Sequence, residues 1–190
     1  MEPLCDRGFA ALNVRFIVPV AICGILNGEE PLDDIAEYTI QEILSELAPD
    51  AALLALALCA RNIGAHVGDR TTGRILKLGA EKIIEEYGPV WLAYEAGQVS
   101  TDAPEIALLL SYIPEDLECL GDLLLSTGET LDEDNAVAGI LCDILGKQAE
   151  AHRQYAEAQL NTLELELEAG PEQENASALS ASNVIPFPPS

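Results

Sequence analysis

Basic residues are scarce in this chain. Nine Lys and Arg stand against 33 Asp and Glu, for a formal net charge of −24. Phosphate contacts need clustered cations, so the balance argues against direct binding of DNA, RNA or an anionic membrane. Aromatics are only 5% of the residues, which leaves Leu, Ile, Ala and Val to build the core. The two histidines, His66 and His152, show neither the Glu-x-x-His spacing of a di-iron bundle nor a His-x-x-x-His pair. Asp132-Glu133-Asp134-Asn135 lacks the turn glycine and spaced ligands of a calcium loop. No Gly-Lys-Ser/Thr follows the glycine spacing of a Walker A loop. No metal and no cofactor is therefore expected, and nothing positions a catalytic residue.

The five cysteines, Cys5, Cys23, Cys59, Cys119 and Cys142, are odd in number and form no CxxC. All but Cys5 lie in apolar helical context, which suggests buried reduced thiols and a reducing compartment. A start of Met-Glu-Pro without a basic leader segment does not read as a signal peptide. A cytoplasmic protein is expected.

What the chain does contain is one dense apolar stretch. From Ala51 to Ala60 no polar side chain occurs. The residues are Ala and Leu with a cysteine, strong helix formers, and no β-branched residue appears before Ile63. Pro49 suits a first helical turn, Asp50 favours the N-terminus, and Gly64 suits a C-terminal cap. Its leucines fall on all sides, so the helix should be buried nearly all round. At ten residues the run is shorter than the roughly 20 needed to span a bilayer. It reads as the central helix of an all-α core.

Around it the periodicity predicts further helices. One covers Gly8–Leu26, kinked or split at Pro19. The next, Pro31–Leu47, carries a stripe of Leu32, Ile35, Ala36, Ile40, Ile43, Leu44 and Leu47, with Asp33, Asp34, Glu37, Glu42 and Glu46 off it. A loop over Ala65–Thr72 precedes a helix from about Gly73 to Tyr87. Gly88-Pro89 stops that one, and a shorter helix carries Trp91, Leu92 and Tyr94. Ser100 to Asp102 offers caps for a helix over Ile106–Tyr112, and Pro114 starts one that closes near Gly128. Thr130 with Glu133 fits a capping box for a long helix from Leu131 to about Glu168. Beyond Gly170 the composition shifts to Pro, Glu, Ser, Asn and Ala, a disordered tail. The expected organisation is an all-α domain, residues 1–169, as a single bundle of about seven helices, followed by a disordered tail, 170–190.

A displacement of 40 residues superposes Ile35 on Ile75, Ile43 on Ile83, Leu44 on Ile84 and Pro49 on Pro89. The period resembles that of helical-hairpin repeats of the HEAT and armadillo type, so a short α-solenoid is the alternative architecture.

Three functional readings follow. The first is a non-enzymatic helical protein that binds a protein partner or self-assembles through acidic faces, Asp33, Asp34, Glu37, Glu42 and Glu46 foremost. Its partner could be basic, or a second copy forming a homo-oligomer. The second is an acidic mimic of nucleic acid that occupies the groove of a basic nucleic-acid-binding protein. The third rests on Arg61, Arg70, Arg74, Lys77 and Lys82, five of the nine cations. Arg70, Thr71, Thr72, Arg74 and Lys77 could hold a phosphate, nucleotide or other small anion at a helix start, or else pair with acidic helices of this or another copy. At the tail end, Val184, Ile185 and Phe187 form an apolar, proline-flanked docking candidate.

Overall fold

A computed structural model describes residues 5–68, 70–95 and 111–169. The chain is all-α. Its helices are α1 Cys5–Leu26, α2 Asp34–Ser45, α3 Pro49–Val67, α4 Thr71–Glu95, α5 Ile113–Thr130 and α6 Ala136–Ala169, the last preceded by a 3-10 turn at Glu133–Asn135. The helix expected over Ile106–Tyr112 falls largely outside the described residues, as does the tail. One compact unit runs to Ala156, and a second begins at Glu157; α6 is helical through to Ala169, LELELE included.

The Ala-Leu run forms the centre. Every residue from Ala51 to Ala60 is buried, and α3 packs against α1, α2, α4 and α5. Pro49 occupies the first turn of α3 as expected. Gly64 does not cap it. The helix continues to Val67 and ends at Gly68, whose φ of 72° gives the reversal that a side chain would resist. Gly64 is instead the point where α3 and α4 nearly touch. A Cβ there would lie 2.6 Å from the Gly73 carbonyl oxygen and 2.9 Å from the Lys77 amide nitrogen. The intervening loop is correspondingly short, and α4 starts at Thr71 rather than Gly73.

With 19 residues, α3 is longer than its ten-residue apolar run, and by length and composition alone it could cross a membrane. Length does not argue against a span, but 72% of its most apolar window is packed inside the fold. Leu53, Leu56 and Ile63 fill the main core with Ile22, Leu44, Leu76, Leu117, Leu120, Leu141 and Leu145. Leu54 and Leu58 pack separately with Trp91.

Gly88-Pro89 does not stop α4, which is one helix of 25 residues. Pro89 costs one backbone hydrogen bond, but it lies on the exposed side, where water can take the freed carbonyl. Tyr87 and Trp91, a turn apart, both turn inward and hold the helix on course across it. The Tyr87 hydroxyl donates to the Asp116 carboxylate at 2.6 Å, tying α4 to α5. In α1, Pro19 likewise sits inside one helix, and its carbonyl accepts a hydrogen bond from Asn62 of α3 at 3.2 Å.

Helices α5 and α6 meet along a seam of glycines. Gly121 faces Gly146 and Gly128 faces Gly139, each pair about two helical turns from the next along its helix. A Cβ on Gly128 would sit 3.2 Å from the Gly139 oxygen, and one on Gly146 would sit 2.6 Å from Leu125. The Thr130–Glu133 capping box does not form. Thr130 stays in the last turn of α5, its hydroxyl donating to the Thr127 carbonyl, and Asp132 takes the cap position.

The 40-residue displacement does not reproduce the helix boundaries. Pro49 opens α3, whereas Pro89 lies within α4. A hairpin repeat would place both at equivalent helix starts, so the architecture is a helical bundle and the solenoid alternative is set aside.

Candidate interaction faces

Helix α2 begins at Asp34, with Asp33 as its cap; the Asp33 carboxylate accepts from the Ile35 and Ala36 amides at 3.1 and 2.9 Å. Ile40 and Leu44 are buried, and Leu32, Ala36, Ile43 and Leu47 pack at the core margin. Ile35 was expected in the same stripe, yet it is 75% exposed, and Tyr38 beside it is 63% exposed. At about 100° per residue, Ile35 lies about 140° from Ile40, too far round to reach the core.

The five acidic residues predicted as one face therefore divide. Asp33 is spent on the cap. Glu37 sits half-buried on the flank and accepts from Gln41 Nε2 at 3.2 Å. Asp34, Glu42 and Glu46 are exposed, Asp34 next to Ile35, Glu42 one turn beyond Tyr38, and Glu46 at the C-cap a turn further on. The outer face of α2 is thus apolar in its N-terminal half, with carboxylates before and beyond the apolar pair along the helix.

Of the predicted anion-binding group, Arg70 precedes α4 and pairs with Asp132 at 2.5 Å. Arg70 hydrogen bonding holds the Asp132 carboxyl below its usual range, helped by Asn135. Lys77 pairs with Glu81 one turn on, at 3.7 Å. Thr71 is exposed and Thr72 half-buried at the helix start. Arg74 is exposed and has no ion-pair partner among the described residues. The structure thus brings the group to one helix start, but with Arg70 already engaged across the α5–α6 turn.

The outer side of α4 also carries exposed apolar residues, among charges of both signs, since Glu85 and Glu86 are exposed there along with Arg74 and Lys82. Ile75 and Leu78 are 48% and 62% exposed, and exposed Arg74 and Lys82 lie beside them. Lys82, too, has no ion-pair partner among the described residues. The sequence reading grouped the cations of this segment but missed the exposed isoleucine and leucine. The signal was present: Ile75 and Leu78 are out of phase with Leu76, Ala80, Ile83 and Tyr87, which form the buried row.

A third exposed pair, Val137 and Ile140, lies at the start of α6. Ile140 edges a shallow cleft of about 410 Å³, lined also by Gly128, Leu131, Asp132, Glu133, Gly139 and Asp143.

His152 is not on an exposed helical face. It is 5% exposed, and its Nε2 lies 2.9 Å from the Leu44 carbonyl at the end of α2. A carbonyl can only accept, so Nε2 carries the proton. Burial pushes its pKa below the usual value, against a smaller upward pull from that bond. Glu150 does face solvent, where its bonds from Arg153 and Gln154 hold its carboxyl down at about 2.

Cys59 and Cys142 are wholly buried. Burial pushes both thiols up, Cys142 to about 12. Cys119 is exposed, and partial burial together with Asp116, Glu115, Glu118 and Asp122 raises its pKa. None of these three has the electropositive setting of a nucleophile. Among the described residues, no three His, Cys, Asp or Glu side chains converge as metal ligands would. The docking candidates Val184, Ile185 and Phe187 lie outside the described residues.

No protein-family model matches the chain, and no curated protein or solved structure does either.

Proposed function

We propose that this is a cytoplasmic, non-enzymatic interaction protein that binds a protein partner through the outer face of α2. The observation that carries the reading is the exposure of Ile35 and Tyr38, 75% and 63%, with Asp34 before them and Glu42 and Glu46 beyond them along the helix. Apolar anchors flanked by charge are the usual anatomy of a binding patch. The flanking carboxylates select a partner with Lys or Arg beside an apolar centre. A nucleic-acid mimic would present a row of carboxylates, and two large apolar side chains interrupt this one. The free thiols of Cys59 and Cys142 support a reducing compartment.

The test is affinity capture with the whole chain and with an Ile35→Asp, Tyr38→Asp variant, both checked for an unchanged thermal midpoint. Proteins recovered by the wild type and lost by the variant are the expected result. Equal recovery by both forms would refute the α2 face.

A further inference from the structure

We infer that Cys23 of α1 and Cys59 of α3 are a redox-sensitive pair, which a peroxide converts to a disulfide tying the first helix to the central one. Both thiols are free. The packing of α1 on α3 brings them together, and one hydrogen bond fixes where. Asn62 Nδ2 of α3 donates to the Pro19 carbonyl of α1 at 3.2 Å. Within a helix a carbonyl faces the amide four residues on, so the Pro19 oxygen lies beside the backbone of Cys23. Side chains lean toward the start of their own helix. Asn62 therefore reaches over the turn of α3 that holds Cys59, three residues before it on the same side. Cys23 likewise leans back over the turn that holds Pro19. Both sulfurs thus sit beside the bond that joins the two helices.

Electrostatics agrees with this placement. Burial first, and the neighbouring Cys23 second, push the Cys59 thiol up. The groups that raise Cys119 are burial and four carboxylates, and for Cys142 burial acts alone. Of these three, only Cys59 feels a second thiol. The pair is also unequal. Cys59 has no exposed surface, whereas Cys23 is partly exposed. Cys23 is the thiol that a small oxidant can reach. Cys59 is the resolving thiol, slow to ionise in its apolar surroundings and inert to larger reagents.

The chemistry runs in two steps. The Cys23 thiolate attacks one oxygen of hydrogen peroxide, the O–O bond breaks, and hydroxide leaves and takes up a proton as water. Cys23 is then a sulfenic acid. Cys59 gives up its proton and attacks the Cys23 sulfur; the S–O bond breaks, a second water leaves, and the S–S bond forms. Two electrons pass from the two sulfurs to the peroxide, and a thiol reductant reverses the bridge by exchange. Disulfides that form in a reducing compartment are mostly transient and redox-sensing. This one would enclose α2, which lies between the two helices in sequence, in a covalent loop.

The experiment exposes the full chain to rising hydrogen peroxide, alkylates the remaining thiols in denaturant, cleaves at glutamates and maps the peptides by mass spectrometry. Glu29 and Glu46 lie between the two cysteines, so the bridge appears as two linked peptides. Mapping uses a Cys119→Ser background, which removes an exposed thiol that could join copies. The expected result is a linked Cys23–Cys59 peptide that dithiothreitol abolishes. With Cys59→Ala added, the link is lost and Cys23 accumulates as a sulfenic acid that dimedone traps in greater yield. Recovery of both cysteines as free thiols, at a dose that oxidises Cys119 in the unaltered chain, overturns the proposal. So does a bridge between any other two cysteines, or a dimedone yield at Cys23 that Cys59→Ala leaves unchanged. Circular dichroism before alkylation checks that the bridge formed in the folded chain; a link that appears only after unfolding also overturns it.

Discussion

Substituting Gly64 by alanine adds one methyl group at the tightest point between α3 and α4. Two effects oppose each other. In a helix interior, Ala is favoured over Gly by about 0.5–1 kcal/mol. The added Cβ, however, would stand 2.6 Å from the Gly73 carbonyl oxygen, 2.9 Å from the Lys77 nitrogen and 3.0 Å from the Lys77 Cβ. The two closest are backbone atoms, so no rotamer change relieves the contact and the helices must part. Overpacking of this kind costs about 1–3 kcal/mol, and rigid neighbours place it in the upper half of that range. The net expectation is a loss of about 1–2 kcal/mol. At about 2–4 °C per kcal/mol for a chain of this size, the thermal midpoint falls by about 2–8 °C. Gly24→Ala is the matched control. Gly24 is also inside a helix, α1, but its added Cβ would meet only the Glu30 side chain, no nearer than 3.6 Å. There the propensity gain acts alone, and the midpoint should rise by about 1–4 °C. Thermal unfolding followed by far-ultraviolet circular dichroism reads both. A Gly64→Ala protein as stable as the wild type would refute the close-approach argument.

The remaining predictions concern burial and titration. His152 is held neutral in the fold, with a pKa below the value of about 6.5 it has when unfolded. As pH falls below about 6.5 the unfolded chain takes up a proton that the folded chain refuses, so this residue's contribution to stability falls with pH; His152→Gln should flatten the slope of stability against pH in that window, and an unchanged slope would exclude His152 as its source. Leu56→Ala, at a position with no exposed surface, should cost about 2–5 kcal/mol by urea unfolding. Tyr87→Phe removes the hydroxyl bound to Asp116 and should cost about 1 kcal/mol. A thiol reagent followed by peptide mapping should modify Cys119 well before Cys59 and Cys142; equal rates in the folded protein would contradict their burial.

How far the sequence could be read depended on the range of the interactions concerned. The Ala-Leu helix was legible because composition alone makes it helical and leaves it no polar face. Pro49, and Pro114 near the start of α5, were legible because a proline in a first turn acts locally. Gly64, Gly88 and Thr130 were misread for one shared reason. Each fits a local terminator or cap, but at Gly64 a neighbouring helix needs the space, and past Gly88 the burial of Tyr87 and Trp91 carries the helix onward. Thr130 instead bonds back within α5. The candidate faces followed the same division. The acidic and basic groupings were visible as composition, whereas the exposure of Ile35 and Leu78 depends on which side of each helix the core takes. Asp132, the partner of Arg70, is 62 residues away in the chain, and no local pattern announces it.

The central placement of α3 also bears on how the chain is made. Its covering comes from both directions: α1 precedes it, while Leu117, Leu120, Leu124, Leu141 and Leu145 follow. Leu145 is the 78th residue after Val67, so at about 5–20 residues per second about 4–16 s pass between their synthesis. During that interval a 19-residue apolar helix stands beside the ribosome with part of its surface uncovered. Nascent-chain binding by chaperones should therefore peak after α3 emerges and fall once the glycine seam lets α6 close against α5.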